Sequence, residues 1–184
     1  MASQKQIVRI VVASPSDVQA ERDTIEAVAA ELNRTIADDR GLLLEISRWE
    51  TDAYPGFHLQ GPQALIDSVL RIEDCDLLIG IFWKRFGTPV LDAQSGTEHE
   101  FRTAYEAWKR NKHPQIMVYF NEKAYTPKSK AETDQWGQVL EFRREFPKEG
   151  LWWSYKGISQ FEKIVRNHLI QFIRQQQPIP EPPP

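Results

Sequence analysis

The stretch that decides the fold is QIVRIVVA at residues 6–13, followed at residues 14–23 by SPSDVQAERD. The first segment is short, β-branched and almost entirely apolar, which is typical of a strand buried on both faces of a parallel sheet. In the second, Ser14 is placed to cap a helix, with Pro15 at its first position and Asp17 in its first turn. Apolar residues then recur at helical spacing, at Val18, Ile25, Val28, Ala29, Leu32 and Ile36, whereas Glu21, Arg22, Glu26 and Arg34 fall outside that stripe. The sequence therefore predicts a central strand followed by an amphipathic helix.

The same unit repeats along the chain in kind, though not in sequence. Further strands are predicted over residues 42–49, 76–83, 115–120 and 151–155. Helices are predicted over residues 62–71, from near Ser95 or Thr97 to about 111, over 131–146 and over 159–175, the last with a capping box of Ser159 and Glu162. Five strands alternating with five helices imply right-handed crossovers and a three-layer α/β fold with a doubly wound parallel sheet.

The composition describes one soluble globular domain. The 184 residues are 41% hydrophobic and carry 23 Lys and Arg against 26 Asp and Glu, so nucleic acid is not the expected partner. No apolar run reaches the roughly 18 residues that cross a membrane, and Cys75 is the single cysteine, so a cytoplasmic location is expected. Residues 178–184, PIPEPPP, are typical of an extended tail or of an interdomain linker.

Ligands of doubly wound sheets bind beyond the carboxyl ends of the strands. A ligand site is therefore expected among the segments that follow strands, which are residues 14–17, 49–57, 83–97 and 121–130. The chain contains neither GxGxxG nor GxxxxGK[ST], and it lacks HExxH, GxSxG and CxxC. The four histidines are scattered without ligand spacing, so no metal site is predicted. We expect Cys75 to be small core filler rather than a redox group.

One segment is left as a candidate for ligand binding or catalysis. It is SGTEHEF at residues 95–101, at the predicted start of a helix. A small Gly96-Thr97 turn lets a ligand approach the backbone, and the first helical turn presents free N–H groups. Glu98 or Glu100 could then face the cleft as a functional carboxylate, or both could simply complement the helix dipole. Helical spacing leaves the choice between the two glutamates open.

Weaker candidates follow other strands. Ser14 and Ser16 could donate to a phosphate or a ribose, and Lys84 and Arg85 could neutralise a pyrophosphate or be solvated loop charges. Trp83 could stack on an adenine or nicotinamide ring or plug the end of the core, which is the role that we expect for Trp49.

These segments together carry a resemblance. SPSDVQAERD, RWETDAYPGF, DLLIGIFWKRFGTP and SGTEHEFRTAYEAW, in this order and spacing, resemble the TIR-like domains at the N-termini of bacterial multidomain ATPase-type defence and signalling proteins. The resemblance covers residues 6–175, leaving 1–5 as an N-terminal extension and 176–184 as a proline-rich tail or truncated interdomain linker. It implies a flavodoxin-like sandwich with a five-stranded parallel sheet.

The resemblance also implies an activity. Enzymatic TIR domains cleave NAD at the nicotinamide–ribose bond with a glutamate in a pattern close to W-C-x-x-E-L, which falls here on Glu100, with Gly96-Thr97 in place of the Trp-Cys pair. Nucleoside deoxyribosyltransferases, which share this sheet, carry a similar G-T-x-x-E segment that also selects Glu100. NAD is then a substrate, with Ser14, Ser16, Trp83, Lys84, Arg85, Gly96, Thr97 and Glu98 as candidate binding residues, and no cofactor is expected.

The loop after the second strand resembles the TIR loop that packs against a neighbouring copy of the domain. Its residues are Asp52, Tyr54, Pro55, Gly56 and Phe57, and it could equally fold over the cleft as a lid. The implied partners are NAD or a related nucleotide, other TIR-like domains and covalently linked sensor or ATPase domains, with neither nucleic acid nor membrane. The alternatives are a non-catalytic interaction module and an N-glycosidase or deoxyribosyltransferase acting on free nucleosides or nucleotides.

Overall fold

A computed structural model describes residues 5–48, 52–90 and 95–176. Within these residues five parallel strands form one sheet, in the order β2-β1-β3-β4-β5. The strands are β1 (Gln6–Ala13), β2 (Leu42–Ser47), β3 (Leu77–Phe82), β4 (Gln115–Asn121) and β5 (Trp152–Tyr155). The prediction of a parallel α/β sandwich of the flavodoxin-like type is therefore confirmed.

Helices cover both faces of this sheet. In the described part of the chain they are α1 (Gln19–Asn33), α2 (Ile36–Asp39), α3 (Pro62–Leu70), α4 (Gly96–Asn111), α5 (Lys130–Arg144) and α6 (Ile158–Gln175). Core residues of α1 and α6 pack on one face, and those of α3, α4 and α5 pack on the other. The strands alternate accordingly: Val12 of β1 packs toward α1 and α6, and its neighbours Val11 and Ala13 pack toward α3 and α4.

The strand order reverses between β1 and β3. From β1 the chain crosses to β2 on one side and later returns to place β3 on the other side of β1. The connections that leave β1 and β3 therefore diverge and open a crevice at the carboxyl edge of the sheet, where doubly wound folds bind their ligands. This edge carries the site described below.

Two local predictions are wrong, and both concern the start of a helix. The first helix begins at Gln19 rather than beside Ser14, because residues 16 and 17 form a turn. The charged pair Glu21 and Arg22 lies outside the apolar stripe of α1 but is buried, since both side chains have polar partners inside the protein. The cap of α6 is Gly157 with φ 82°, and no side chain caps this helix end.

Some predictions fall on residues outside the described ranges. Trp49 is one of them, as are residues 1–4 of the N-terminal extension and residues 177–184 of the proline-rich tail. The last described helix ends at Gln175, and Gln176 follows it as the C-cap. No helix in the described ranges combines the length and the apolar character needed to cross a membrane.

Candidate functional site

A cavity of about 880 Å³ opens at the carboxyl edge of the sheet between the segments that follow β1 and β3. Helix α3 and the first turn of α4 supply its other walls. The residues that line it are Ser14, Pro15, Ser16, Gln19, Arg22, Gln60, Gly61, Pro62, Gln63, Ile66, Arg85, Gly87, Thr88, Pro89, Val90, Gly96, Thr97 and Glu100. Its size and its mixture of prolines, hydroxyls and amides suit a small organic ligand with several polar groups.

Glu100 is the carboxylate in the cavity wall. It lies at the fifth position of α4, whose N-terminus is fixed by the buried Ser95, because Ser95 Oγ accepts the backbone N–H of Glu98 at 3.0 Å. Only 4% of Glu100 is exposed, so its carboxyl group stands in a largely desolvated position beside the cavity. An ionised carboxylate in a largely desolvated position interacts more strongly with a neighbouring charge than one in water does.

Glu98 is equally buried but is directed elsewhere. It does not line this cavity; it lines a groove between α4 and α5, and its Oε1 accepts hydrogen bonds from the guanidinium of Arg102, one at 2.9 Å. This pairing joins residues four apart on one helix. The structure thus separates two glutamates that helical spacing alone left equivalent, and it places Glu100 at the cavity.

Arg22 of α1 organises the turn that follows β1. Its Nε donates to Ser14 Oγ at 2.5 Å, and its Nη2 donates to the carbonyl oxygens of Ser14 and Pro15, the latter at 3.0 Å. The side chain is 4% exposed and lines the cavity together with Ser14. Ser14 is therefore a bound hydroxyl in the cavity wall and not a helix cap.

Asp17 joins the two segments across the point where the strand order reverses. Its Oδ2 accepts the backbone N–H groups of Lys84 and Arg85, at 2.9 and 3.1 Å. Arg85 Nη1 donates in turn to Ser16 Oγ at 3.1 Å. These contacts place the Arg85 guanidinium and the Ser16 hydroxyl next to each other at the cavity, where they can bind an anion.

The segment after β3 is also held from α5. Gln135 Oε1 accepts the backbone N–H groups of Phe86 and Gly87, both at 3.0 Å, and its Nε2 donates to the Gly87 carbonyl at 3.3 Å. Gly87 has φ 116°, and a Cβ there would meet the Cβ of Ser95 at 3.0 Å. The cavity wall therefore needs glycine at this position.

Helix α3 faces α4 through a chain of three polar side chains. Gln63 Nε2 donates to Asp67 Oδ1 at 3.0 Å, and His99 Nε2 lies 2.9 Å from Asp67 Oδ2. Gln63 lies over Gly96 so closely that a Cβ on Gly96 would meet Gln63 Oε1 at 2.9 Å. Gly96 thus gives Gln63 room beside the start of α4, and both residues line the cavity.

Trp83 and Lys84, two of the predicted binding residues, do not line the cavity. The Trp83 ring packs against the core on the α1 and α6 face, and its Nε1 donates to the Lys123 carbonyl at 3.3 Å. The Lys84 ammonium lies over this ring, 3.8 Å from its centroid, and 5.0 Å from the centroid of Tyr125. The structure instead brings together Ser14, Ser16, Arg85, Gly96, Thr97 and Glu100 at the cavity.

The loop between β2 and α3 exposes large apolar side chains. Tyr54 is 78% exposed, Phe57 104% and Leu59 106%, and Asp52, Pro55 and Gly56 lie beside them at the surface. Asp52 Oδ2 accepts the backbone N–H of Arg48 at 3.0 Å, which ties the start of this loop to the end of β2. The loop leads directly into Gln60–Gln63 of the cavity wall. We call Tyr54, Phe57 and Leu59 the exposed apolar loop.

Other titratable groups stand apart from the cavity. Burial raises the pKa of the Cys75 thiol to about 12, which keeps it protonated and chemically inert. Burial and the neighbouring Glu21 carboxylate raise the pKa of Tyr155 far above its usual range, so this hydroxyl stays a donor to Glu21 at 2.8 Å. In the described ranges no group of three or more His, Cys, Asp or Glu side chains is arranged to hold a metal ion.

The sequence does not predict Arg22 and Gln63 as site residues or Leu59 as part of the exposed surface. For Arg22 the sequence shows only a charged residue outside the apolar stripe of the first helix, a pattern that does not distinguish a buried side chain from an exposed one. For Gln63 the signal was its position next to Pro62 at the start of a helix opposite Gly96, a pairing that only the tertiary structure shows.

Comparison with known proteins places the chain in a family. No curated protein matches its sequence. The apo translation elongation factor SelB from Methanococcus maripaludis resembles it in structure with 12% identity and a TM-score of 0.48, over 96% of this chain and 36% of SelB. RosB with a bound riboflavin-phosphate intermediate resembles it with 10% identity and a TM-score of 0.34, over 92% of this chain and 81% of RosB. This chain thus spans about a third of SelB. Residues 9–170 match the family described as Domain of unknown function (DUF4062), and the chain belongs to that family.

Proposed function

We propose that this domain is a TIR-like effector that cleaves NAD at the nicotinamide–ribose bond and uses Glu100 as its functional carboxylate. The observation that carries the proposal is the position of Glu100: a 4% exposed carboxylate in the wall of a cavity of about 880 Å³ where the strand order reverses. The resemblance of the segment SGTEHEF to glycosidic-bond-cleaving TIR and deoxyribosyltransferase motifs supports the same residue.

Cleavage of the nicotinamide–ribose bond requires mainly a negative charge held beside the anomeric carbon. The bond between the anomeric carbon and the pyridinium nitrogen breaks with both electrons going to nitrogen, so nicotinamide leaves as a neutral molecule and needs no general acid. The ribose becomes oxocarbenium-like, and a carboxylate beside it stabilises that positive charge. A water molecule then adds to the anomeric carbon and releases its proton to solvent. Glu100 supplies the negative charge in this scheme.

The remaining cavity residues suit the other parts of a dinucleotide. Arg85 and the Ser16 hydroxyl, held 3.1 Å apart, suit the pyrophosphate. Pro62, Ile66, Pro89 and Val90 offer apolar surfaces for a flat ring. Arg22 is occupied with the Ser14 and Pro15 carbonyls and acts by shaping the wall.

We further propose that the domain works by self-association within a larger defence or signalling protein. The exposed apolar loop supports this, because three large side chains that are 78% or more exposed form a surface that a second protein can cover. The loop continues into Gln60 and Gln63 of the cavity wall, so contact with a second copy can act on the cavity directly.

The same loop favours one alternative, a non-catalytic TIR-type interaction module. That function requires Tyr54 and Phe57 and is indifferent to Glu100. A second alternative is cleavage of the glycosidic bond in free nucleosides or nucleotides. These substrates contain no dinucleotide pyrophosphate, so Arg85 and Ser16 would not have the binding role proposed above.

One experiment separates the three functions. The domain is clustered by fusion to a tetrameric coiled coil and incubated with NAD or with a panel of nucleosides and nucleoside monophosphates, and released bases are separated by chromatography. The proposal predicts nicotinamide from NAD and no base from nucleosides. Release of bases from nucleosides or nucleoside monophosphates, without nicotinamide from NAD, would show that the substrate is a free nucleoside or nucleotide. No release from any compound would favour the non-catalytic interaction module.

A further inference from the structure

We propose that Gln63 is a specificity-determining residue that accepts a hydrogen bond from a hydroxyl of the ribose whose glycosidic bond is broken. This inference rests on the proposed function and deepens it, because it names the part of the substrate that the cavity reads. It rests on three contacts that join α3 to the start of α4.

The orientation of the Gln63 amide follows from its partner. Asp67 is a carboxylate and offers only acceptors, so the Gln63 atom 3.0 Å from Asp67 Oδ1 is the amide nitrogen. His99 Nε2, 2.9 Å from Asp67 Oδ2, is a donor for the same reason. Asp67 therefore binds one donor with each oxygen, and the Gln63 oxygen is turned away from it toward Gly96.

The Gln63 oxygen offers an acceptor to a ligand in the cavity. It lies 2.9 Å from where a Cβ on Gly96 would stand, and no hydrogen bond to it occurs among residues 5–48, 52–90 and 95–176. Gln63 is half-buried, so a ligand that enters the cavity displaces the water around this oxygen. A ligand hydroxyl placed there restores the lost hydrogen bond, whereas a ligand without one leaves an acceptor unsatisfied.

The spacing of Gly96 and Glu100 on α4 points to the ribose as the group that Gln63 contacts. Gly96 and Glu100 lie four residues apart on α4, so they share one face and are separated by about 6 Å along the helix axis. If the anomeric carbon lies opposite Glu100 and the ribose extends toward the preceding turn of α4, the 2′- and 3′-hydroxyl oxygens, two and three bonds from that carbon, come next to this turn. The Gln63 oxygen stands beside that turn and is the acceptor for one of these hydroxyls.

Binding measurements test this proposal without requiring cleavage. In a Glu100→Gln background, calorimetry gives the affinity for NAD and for its analogues that lack the 2′- or the 3′-hydroxyl on the nicotinamide ribose. Gln63→Met, which keeps length but removes the acceptor, is expected to lower the affinity for NAD about fivefold to tenfold. For the one analogue that lacks the recognised hydroxyl, the same substitution is expected to change the affinity less than about twofold.

Two further variants support the interpretation of the result. Asp67→Ala releases the Gln63 amide and is expected to reduce the preference for NAD over that analogue without changing the affinity for the analogue. Gln171→Met, an exposed residue on α6, is the matched control. Thermal unfolding of every variant checks that the fold is retained.

The outcomes distinguish this inference from the proposed function. Equal loss of affinity for NAD and for both analogues in Gln63→Met, or no loss for any of them, would overturn the role of Gln63 even if the wild type cleaves NAD. Hydroxyl-dependent binding through Gln63 in a protein that releases no nicotinamide would uphold the role of Gln63 and overturn the cleavage. Absence of NAD binding would overturn both.

Discussion

Arg22 Nε donates to Ser14 Oγ at 2.5 Å, and the same guanidinium binds the carbonyl oxygens of Ser14 and Pro15. The contact closes the turn between β1 and α1, so that a buried arginine replaces the helix cap that the sequence predicts. It also sets the shape of the cavity wall opposite Glu100, because Ser14, Pro15 and Arg22 all line the cavity. The proposed catalysis therefore depends on a residue that we do not place in contact with the reacting atoms.

Substitution of Arg22 is expected to destabilise the domain. Arg22→Met leaves two buried carbonyl oxygens and a hydroxyl without their donors, which costs about 3 kcal/mol of unfolding free energy. Ser14→Ala removes one partner and costs about 1 kcal/mol. Chemical denaturation measures both values, and the double variant is expected to lose less than their sum because the two residues share one network.

The control for Arg22 is Arg34→Met on the exposed surface just beyond α1, which is expected to stay within about 0.5 kcal/mol of the wild type. Equal effects of the two arginine substitutions would contradict a specific role for Arg22.

Asp17 is expected to govern substrate binding more than the chemical step. Its carboxylate accepts the N–H groups of Lys84 and Arg85, so Asp17→Ala releases the segment that presents Arg85 to the cavity. We expect KM for NAD to rise about tenfold and kcat to change less than threefold, since the loss of an anion-binding group weakens binding throughout the reaction. Steady-state kinetics of nicotinamide release gives both constants.

The conservative variant Asp17→Asn keeps one acceptor oxygen and is expected to recover most of the affinity. A fall in kcat with unchanged KM in Asp17→Ala would mean that this segment acts in the chemical step and would contradict a role for Asp17 in substrate binding.

The exposed apolar loop is expected to control assembly without affecting the fold. Tyr54→Ser combined with Phe57→Ser removes two side chains that are 78% and 104% exposed, so the unfolding free energy is expected to change by less than about 0.5 kcal/mol. Sedimentation of the concentrated domain is expected to show loss of self-association. Leu140→Ser is the matched surface control, because Leu140 is a 39% exposed apolar residue on α5, outside the loop. Unchanged self-association in the loop variant would show that the exposed apolar loop is not part of the interface.

His168 is expected to make stability depend on pH. Burial lowers its pKa below the usual 6.5, and its Nδ1 lies 2.7 Å from the Tyr119 hydroxyl. The folded protein then binds fewer protons at this site than the unfolded chain does, so the unfolding free energy decreases as the pH falls below about 6.5. The loss continues until the pH passes the folded pKa and then levels off.

Denaturation of the wild type and of His168→Gln at several pH values between about 5 and 8 measures this contribution. The difference between the two unfolding free energies is expected to shrink toward acid pH, whereas the exposed His58→Gln variant is expected to follow the wild type. Parallel curves for the wild type and His168→Gln would show that the pKa of His168 is the same in the folded and the unfolded protein, which would contradict this prediction.

The fold was predictable because its signals are local. QIVRIVVA and the strand LLIGIF at residues 77–82 are apolar on both faces, and the helix from Gly96 to Asn111 carries its own cap at Ser95. Strands that are apolar on both faces and that alternate with helices predict a parallel sheet from the sequence alone.

The residues of the candidate site that could be predicted are those that follow β1 and β3 at the carboxyl edge of the sheet. Ser14, Ser16, Arg85, Gly96, Thr97 and Glu100 follow strands β1 and β3, and the reversal of strand order brings them to one cavity. Trp83 also follows β3, but its ring packs on the α1 and α6 face together with Ile79 and Ile81, as the alternation of the strand continues past Phe82. Arg22 is buried through contacts with carbonyl oxygens of a turn, which no residue pattern indicates.

The most direct test of the central claim is nicotinamide release by the coiled-coil-clustered domain and its glutamate variants. We predict that the wild type releases nicotinamide from NAD and that Glu100→Gln lowers the rate at least about a hundredfold, as loss of a preorganised transition-state charge does. The exposed Glu106→Gln variant is expected to keep the wild-type rate, and Glu98→Gln, whose carboxylate pairs with Arg102, is expected to keep most of it. Equal rates for the wild type and Glu100→Gln, or no nicotinamide from the clustered wild type, would contradict the claim.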